Sequence, residues 1–242
     1  DFPLTGGNRK ISSGPLRAGT ASMDLVGDWS GALQMATYGP SPPRARGLRQ
    51  PVEARALVLD NGTTRLALVS CDLLIMHRQL RQAVLKKLAQ AGLRLDGILL
   101  SATHTHTSVG AYIDDPLFEF YMLGPYDPDW ADHLAGRISG AVTRATESLQ
   151  DARLGCGRSF VTGASYNRRL GQLADPELAL IKITDAAEKP LALIANFAGH
   201  PILEPDDAML SPDYPGLLSR KIDDRYGFGF FLQGALGDLN AG

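Results

Sequence analysis

Three of the chain's five histidines stand where apolar runs break off. The run ILLSAT leads to His104 and His106, and LIANFAG leads to His200. LALVSC likewise runs into Asp72, and GFFLQGALG into Asp238 and Asn240. Histidine is the commonest metal ligand, and neutral imidazole suits zinc. In extended backbone, residues i and i+2 project to one side, so H-x-H predicts two imidazoles on one face. The hydroxyls of Ser101, Thr103, Thr105, Thr107 and Ser108 flank that pair and are placed to orient ring nitrogens or outer-shell waters. The bland alternative is a set of hydrogen-bonded histidines at a turn. His200 stands in NFAGHP, where Pro201 stiffens the chain and fixes the ring direction. His77 begins a helix and His133 lies within one, and both read as structural.

Carboxylates near the same strand ends are Asp72, Asp213 and Asp238. Asp72 is read as a histidine-orienting group. Asp213 in SPDYPG has the position of a helix N-cap. Asp238 follows Gly234 and Gly237, which permit close backbone approach to a ligand, or else it makes an Asx-turn. Arg168 in YNRRL offers a planar guanidinium that can pin a substrate oxygen or a developing oxyanion. No G-x-S-x-G elbow, G-x-G-x-x-G or P-loop occurs, so a serine nucleophile and nucleotide chemistry lack support.

Composition narrows the field further. Of 242 residues, 44 % are hydrophobic and 21 % charged, enough for a real core. A net charge of -2 gives no electrostatic footprint for nucleic acid or an anionic membrane. No apolar run approaches the ~18 residues of a membrane span, and the first residues, DFPLTGGNRKISSG, lack the apolar stretch of a signal peptide. Cys71 and Cys156 fall in strand-like stretches and form either one disulfide or two buried thiols.

The elements that must position these residues read as alternating strands and helices. Val52–Leu59 and Arg65–Cys71 flank Asp60-Asn61-Gly62 as a hairpin. A helix from about His77 to Ala91 presents Leu80, Val84, Leu85 and Leu88 on one face, and Gly97–Ser101 follows as a buried strand. The longest helix runs from about Pro128 to Leu149. Strands follow at about 153–163, 178–183 and 191–198, then a helix at about 215–226 and a last strand from Phe228 to Leu232. The irregular stretch 38–51, rich in proline and glycine, reads as a long surface loop. These elements predict one α/β domain spanning 1–242, a mixed β-sheet with helices packed on its faces. In open α/β sheets, ligands bind at the carboxyl ends of parallel strands, which is where the histidines fall. No internal sequence repeat is evident.

In order along the chain, LRAGTASMDL, MATYGP, VEARALVLDN, LVSCDLL, LLSATHTHTSVGAY, YNR, NFAGHP, SPDYPG and QGALGDLN resemble the N-terminal domain of the neutral/alkaline non-lysosomal ceramidase family. The resemblance implies a zinc-dependent hydrolase that cleaves an N-acyl amide bond, with His104 and His200 as zinc ligands. It implies that His106 and Arg168 contact the scissile group, and that the substrate is a small-molecule or lipid-like amide. It also implies a secreted or periplasmic setting, and a metal site completed either by one of the aspartates named above or by residues after Gly242. The family's functional serine is replaced here by Asn240, which marks a divergent branch with Asp238 and Asn240 in place of the serine arrangement. The rival reading is a non-catalytic ligand- or metal-binding domain that keeps the fold.

Overall fold

The structure, a computed structural model, describes residues 14–37, 39–205 and 207–242. The first 13 residues, read above for a signal peptide, and Tyr38, which opens the proline-rich loop, lie outside the described residues.

Two halves of the chain share one topology. In the first, β1 (Arg17–Asp24), β2 (Glu53–Asp60) and β3 (Arg65–Cys71) pair antiparallel in that order. Helix α1 (Arg78–Gln90) then crosses over, and β4 (Gly97–Ala102) lies parallel to β3. After α2 (Pro128–Glu147) the second half repeats the plan. Strands β5 (Arg153–Phe160), β6 (Glu177–Thr184) and β7 (Pro190–Phe197) pair antiparallel, α3 (Asp213–Tyr226) crosses over, and β8 (Phe228–Gln233) lies parallel to β7. Even the short pairings correspond: Ser108–Val109 joins Met35–Ala36 in one half, and Leu239–Ala241 joins Ser165–Asn167 in the other. No sequence repeat betrays this, because the two halves share topology without sharing residues.

The expected α/β class holds, with two mixed sheets instead of one. They stack through Ala18, Leu57, Ile183, Ala192, Ile194 and Phe230, which are buried between them. On the outer face of the first sheet, α1 and α2 bury Leu80, Val84, Leu134, Ile138 and Val142 against Ala56, Val58 and Val69. Each fully buried side chain of this size stabilises the fold by roughly 1.5–3 kcal/mol. Helix α3 covers the second sheet. Both α1 and α2 start at caps the sequence supplies. The His77 Nδ1 accepts from the Gln79 N–H at 3.4 Å, and Asp127 Oδ1 accepts from the N–H groups of Asp129 and Trp130.

Three sequence expectations need correction. The cysteines form no disulfide and differ in setting: Cys71 is buried in β3, while Cys156 is exposed on the edge strand β5. Asp213 is not the N-cap of α3; Pro212 holds that place, and Asp213 is the first helical residue. The loop 39–51, read from its prolines and glycines as irregular, carries one short parallel pairing, Gly47–Leu48 with Met209–Leu210. Its chain reversals demand proline and glycine, but its main chain still finds partners.

The candidate metal centre

The parallel pairs β3/β4 and β7/β8 belong to different sheets, so the histidines are not delivered by four neighbouring strands of one sheet. They nonetheless converge. One nitrogen from each of His104, His106 and His200 lies within 4.8 Å of the others. Ring centroids stand 5.1 Å apart for His104–His106, 5.0 Å for His104–His200 and 5.7 Å for His106–His200.

The geometry that brings His104 and His106 together is not strand alternation. Strand β4 ends at Ala102, and His104 has φ +68°, in the left-handed region. Such a conformation costs a non-glycine residue about 1–3 kcal/mol and concentrates at functional sites. The loop is held by main-chain bonds from Thr103 N–H to the Cys71 carbonyl (2.8 Å) and from His104 N–H to the Leu73 carbonyl (3.0 Å). The threonine hydroxyls do not orient the His104 and His200 rings. Thr105 and Thr107 each donate to the Ser211 carbonyl at 3.0 Å, tying the histidine loop to the SPDYPG segment. Asp72, buried beneath, accepts from Glu53 N–H at 2.9 Å and from the Thr103 hydroxyl at 3.3 Å. It braces the loop one residue before His104 and bonds no ring.

Ring orientation comes from main-chain carbonyls. The Leu74 carbonyl accepts from His104 Nδ1 at 2.7 Å, and the Leu239 carbonyl accepts from His200 Nδ1 at 3.0 Å. A carbonyl only accepts, so each Nδ1 carries a proton, which leaves Nε2 as the nitrogen with a lone pair when the ring is neutral. This is the usual outer-shell arrangement of metal-binding histidines. Sequence reasoning missed both partners because a main-chain carbonyl has no residue-type signature.

Electrostatics disfavour the charged forms of His104 and His106. Burial lowers His106 to about 4, reinforced by His104, His200 and the Arg168 guanidinium. Burial also lowers His104, against a raising contribution from its bond to Leu74. Burial pushes Asp72 up to about 7, with Glu53 adding to the rise, while hydrogen bonds and Arg55 oppose it.

The remaining expected residues gather on the Leu239–Ala241 segment and its partner. Asn240 forms a parallel β-bridge with His200, is buried, and its Nδ2 donates to the Tyr166 hydroxyl at 3.2 Å. Its Oδ1 is enclosed without a hydrogen-bond partner. Arg168 is exposed; its backbone N–H donates to the Asp238 carbonyl at 2.8 Å and its guanidinium donates to the Gly237 carbonyl. The Asp238 carboxylate accepts from Asn167 Nδ2 at 3.2 Å and faces Arg169 at 3.6 Å. Among the described residues no carboxylate joins the three-histidine cluster. Asp213 does different work: Oδ2 accepts from the N–H groups of Leu203 and Glu204, and Oδ1 from that of Tyr214, locking the turn after His200 to α3. His77 caps α1 and His133 donates from Nε2 to the Val26 carbonyl at 3.0 Å, both structural as expected.

The family model for the neutral/alkaline non-lysosomal ceramidase N-terminal region matches residues 16–227. A neutral ceramidase of Drosophila pseudoobscura is 28 % identical over 172 residues, covering 69 % of this chain and 24 % of that protein. The neutral ceramidase of Pseudomonas aeruginosa is 24 % identical over 226 residues, covering 85 % of this chain and 33 % of that protein. The chain therefore spans a quarter to a third of the length of these relatives. The crystal structure of the Pseudomonas aeruginosa neutral ceramidase superposes with a TM-score of 0.80 at 22 % identity, covering 95 % of this chain and 40 % of that one. No helix of the described residues is long and apolar enough to cross a membrane. The chain belongs to the neutral/alkaline non-lysosomal ceramidase family, corresponding to its N-terminal region.

Proposed function

We propose that the chain carries the metal-binding part of a zinc-dependent amidase that cleaves an N-acyl amide of the ceramide class. The observation that carries this reading is the convergence of three imidazoles within 4.8 Å, two of them with Nδ1 tied to a carbonyl. The donor set fits zinc, which takes neutral imidazole nitrogen at about 2.0–2.1 Å. His104 and His200 would hold the ion through Nε2. When bound, zinc polarises a substrate carbonyl and makes water a better nucleophile near neutral pH.

The chain's own residues then have distinct tasks. His106, held neutral beside Arg168, is the group able to accept a proton as water attacks the acyl carbon. Arg168 presents a fixed positive charge to the oxygen that becomes negative. Asn240, bridged to His200 through the main chain, would with Asp238 position the substrate's polar end. The depressed basicity of His106 and His104 keeps both rings unprotonated, as ligation requires. We place the enzyme outside the cytoplasm, in keeping with the family resemblance, and expect ligands from beyond Gly242 to complete the coordination.

The three-way proximity of the rings also favours a second arrangement, with His106 as a third ligand. Variants H106A and R168A of the natural full-length chain, assayed on a fluorogenic N-acyl sphingosine, separate these roles. Loss of about 10²–10³ in turnover with zinc content unchanged supports the proton-transfer and oxyanion roles. Zinc lost with H106A assigns it as a ligand. Wild-type protein that holds zinc but turns over no N-acyl amide would leave a binding domain only.

A further inference from the structure

The loops that carry the histidines leave different sheets, yet both are fastened to one fully buried residue, Ser211. Its carbonyl accepts from the hydroxyls of Thr105 and Thr107 at 3.0 Å, and its N–H donates to the Thr107 carbonyl at 2.8 Å. The main chain of Ser211 thus grips the loop of His104 and His106. Its side chain serves the other loop. Oγ donates to Glu204 Oε1 at 2.9 Å and accepts from the Asp213 N–H at 3.1 Å. Glu204 belongs to the turn after His200, and its own N–H donates to Asp213 Oδ2 at 3.0 Å.

Glu204 is clamped from a second side. Its Oε2 lies 3.1 Å from Arg49 Nε, and its side chain is 19 % exposed. Arg49 comes from the proline-rich loop, brought there by the pairing of Gly47–Leu48 with Met209–Leu210; its N–H donates to the Leu210 carbonyl at 2.8 Å. A carboxylate that accepts from a hydroxyl and a guanidinium makes charge-assisted bonds, shorter and stronger than neutral ones. Strain marks the same region. Asp213, whose N–H bonds the serine oxygen, has φ +55°, and His104 has φ +68°. Non-glycine residues keep such conformations where the surroundings over-determine them, and they cluster at ligand sites.

We propose that Ser211 and Glu204 are positioning residues of the metal centre. Together they form a strut that holds the His200 turn against the loop of His104 and His106, and so sets how far apart the three imidazoles stand. Both act through other residues, and Arg49 braces the strut from the loop 39–51. The proposal rests on the reading of His104 and His200 as metal ligands. Removing groups that hold metal-binding histidines in place costs about 10–100-fold in metal affinity. A strut one bond further out should act at the lower end of that range.

The test uses the natural full-length chain and zinc, with affinity measured by chelator competition. Ser211→Ala and Glu204→Ala should each weaken zinc binding by about tenfold. The double variant should lose no more than the worse single one, because each substitution breaks the same strut. Glu204→Gln keeps an acceptor for the Ser211 hydroxyl and should recover most of the affinity. Val84→Ala, a truncation in the α1 core, should lower the unfolding midpoint and leave zinc affinity unchanged. A second readout needs no metal: in the zinc-free chain, the His200 Nδ1 proton should exchange with water at least about tenfold faster in Ser211→Ala than in wild type or Val84→Ala. Zinc affinity and proton exchange that Ser211→Ala moves no more than Val84→Ala does would overturn the proposal, as would additive losses in the double variant. A wild-type chain that binds no zinc would contradict the metal reading alone, and proton exchange would still decide whether the strut positions the ring.

Discussion

His200 donates twice to one acceptor: its backbone N–H and its ring Nδ1 reach the Leu239 carbonyl at 2.8 and 3.0 Å. The imidazole therefore cannot turn without breaking a bond to the segment that carries Asp238 and Asn240. The His104 ring is fixed in the same manner by Leu74, in the loop just after β3. Two main-chain carbonyls, one from each half of the chain, thus set the directions from which an ion would be approached.

The low basicity of His106 and His104 can be read by NMR on metal-free protein. The His106 ring should titrate with a midpoint near 4, well below the ordinary histidine value, and His104 should also titrate low. Proton competition with metal at these two rings should set in only in acid, below the range where a free histidine would charge. A His106 midpoint at or above 6.5 would contradict the burial and the nearness of Arg168.

Buried Asp72 predicts a stability slope. Its folded value near 7 lies above the unfolded carboxylate value, so the native state binds the extra proton between about pH 4 and pH 7. Native stability therefore falls as pH rises through that window. Asp72→Asn should remove this contribution, so the variant gains relative to wild type by a few kcal/mol, at most, from pH 4 to 7. Urea unfolding at both pH values measures the difference; a constant gap would refute it.

Much of this arrangement was legible in the sequence. Helix α1 and the parallel β3/β4 pair followed from apolar spacing, and the three histidines from their places after buried strands. Strand β1 was not legible, because Arg17–Asp24 is built mostly of small and polar residues with little β signature. The division into two sheets was hidden as well, since periodicity shows that a strand is buried but not which sheet it joins. His104 and His106 converge for a reason the H-x-H spacing did not contain, the left-handed backbone at His104.

Gly19 and Gly155, the third residues of β1 and β5, should respond differently to an added methyl. Gly19→Ala forces a methyl into the α2 main chain and should destabilise chain 1–242 by about 1–3 kcal/mol. Gly155→Ala faces open space and should stay within about 0.5 kcal/mol of wild type. Denaturant midpoints at constant slope decide it, and equal losses would refute the difference between the two surroundings.

Asp213 accepts three backbone N–H bonds in a buried setting. Asp213→Ala leaves those donors without their acceptor and should cost about 2–4 kcal/mol. Because the same bonds hold the turn after His200, metal affinity should drop as well. Unchanged thermal stability would show that water replaces the carboxylate.

The central claim is that His104 and His200, 96 positions apart in sequence, hold one cation together. Equilibrium dialysis against zinc followed by elemental analysis tests it on chain 1–242 directly. Wild type and His77→Ala should each retain one zinc per chain, while His104→Ala and His200→Ala should each lose it with the fold intact by circular dichroism. Wild-type protein that retains no zinc, or variants that retain it undiminished, would contradict the account.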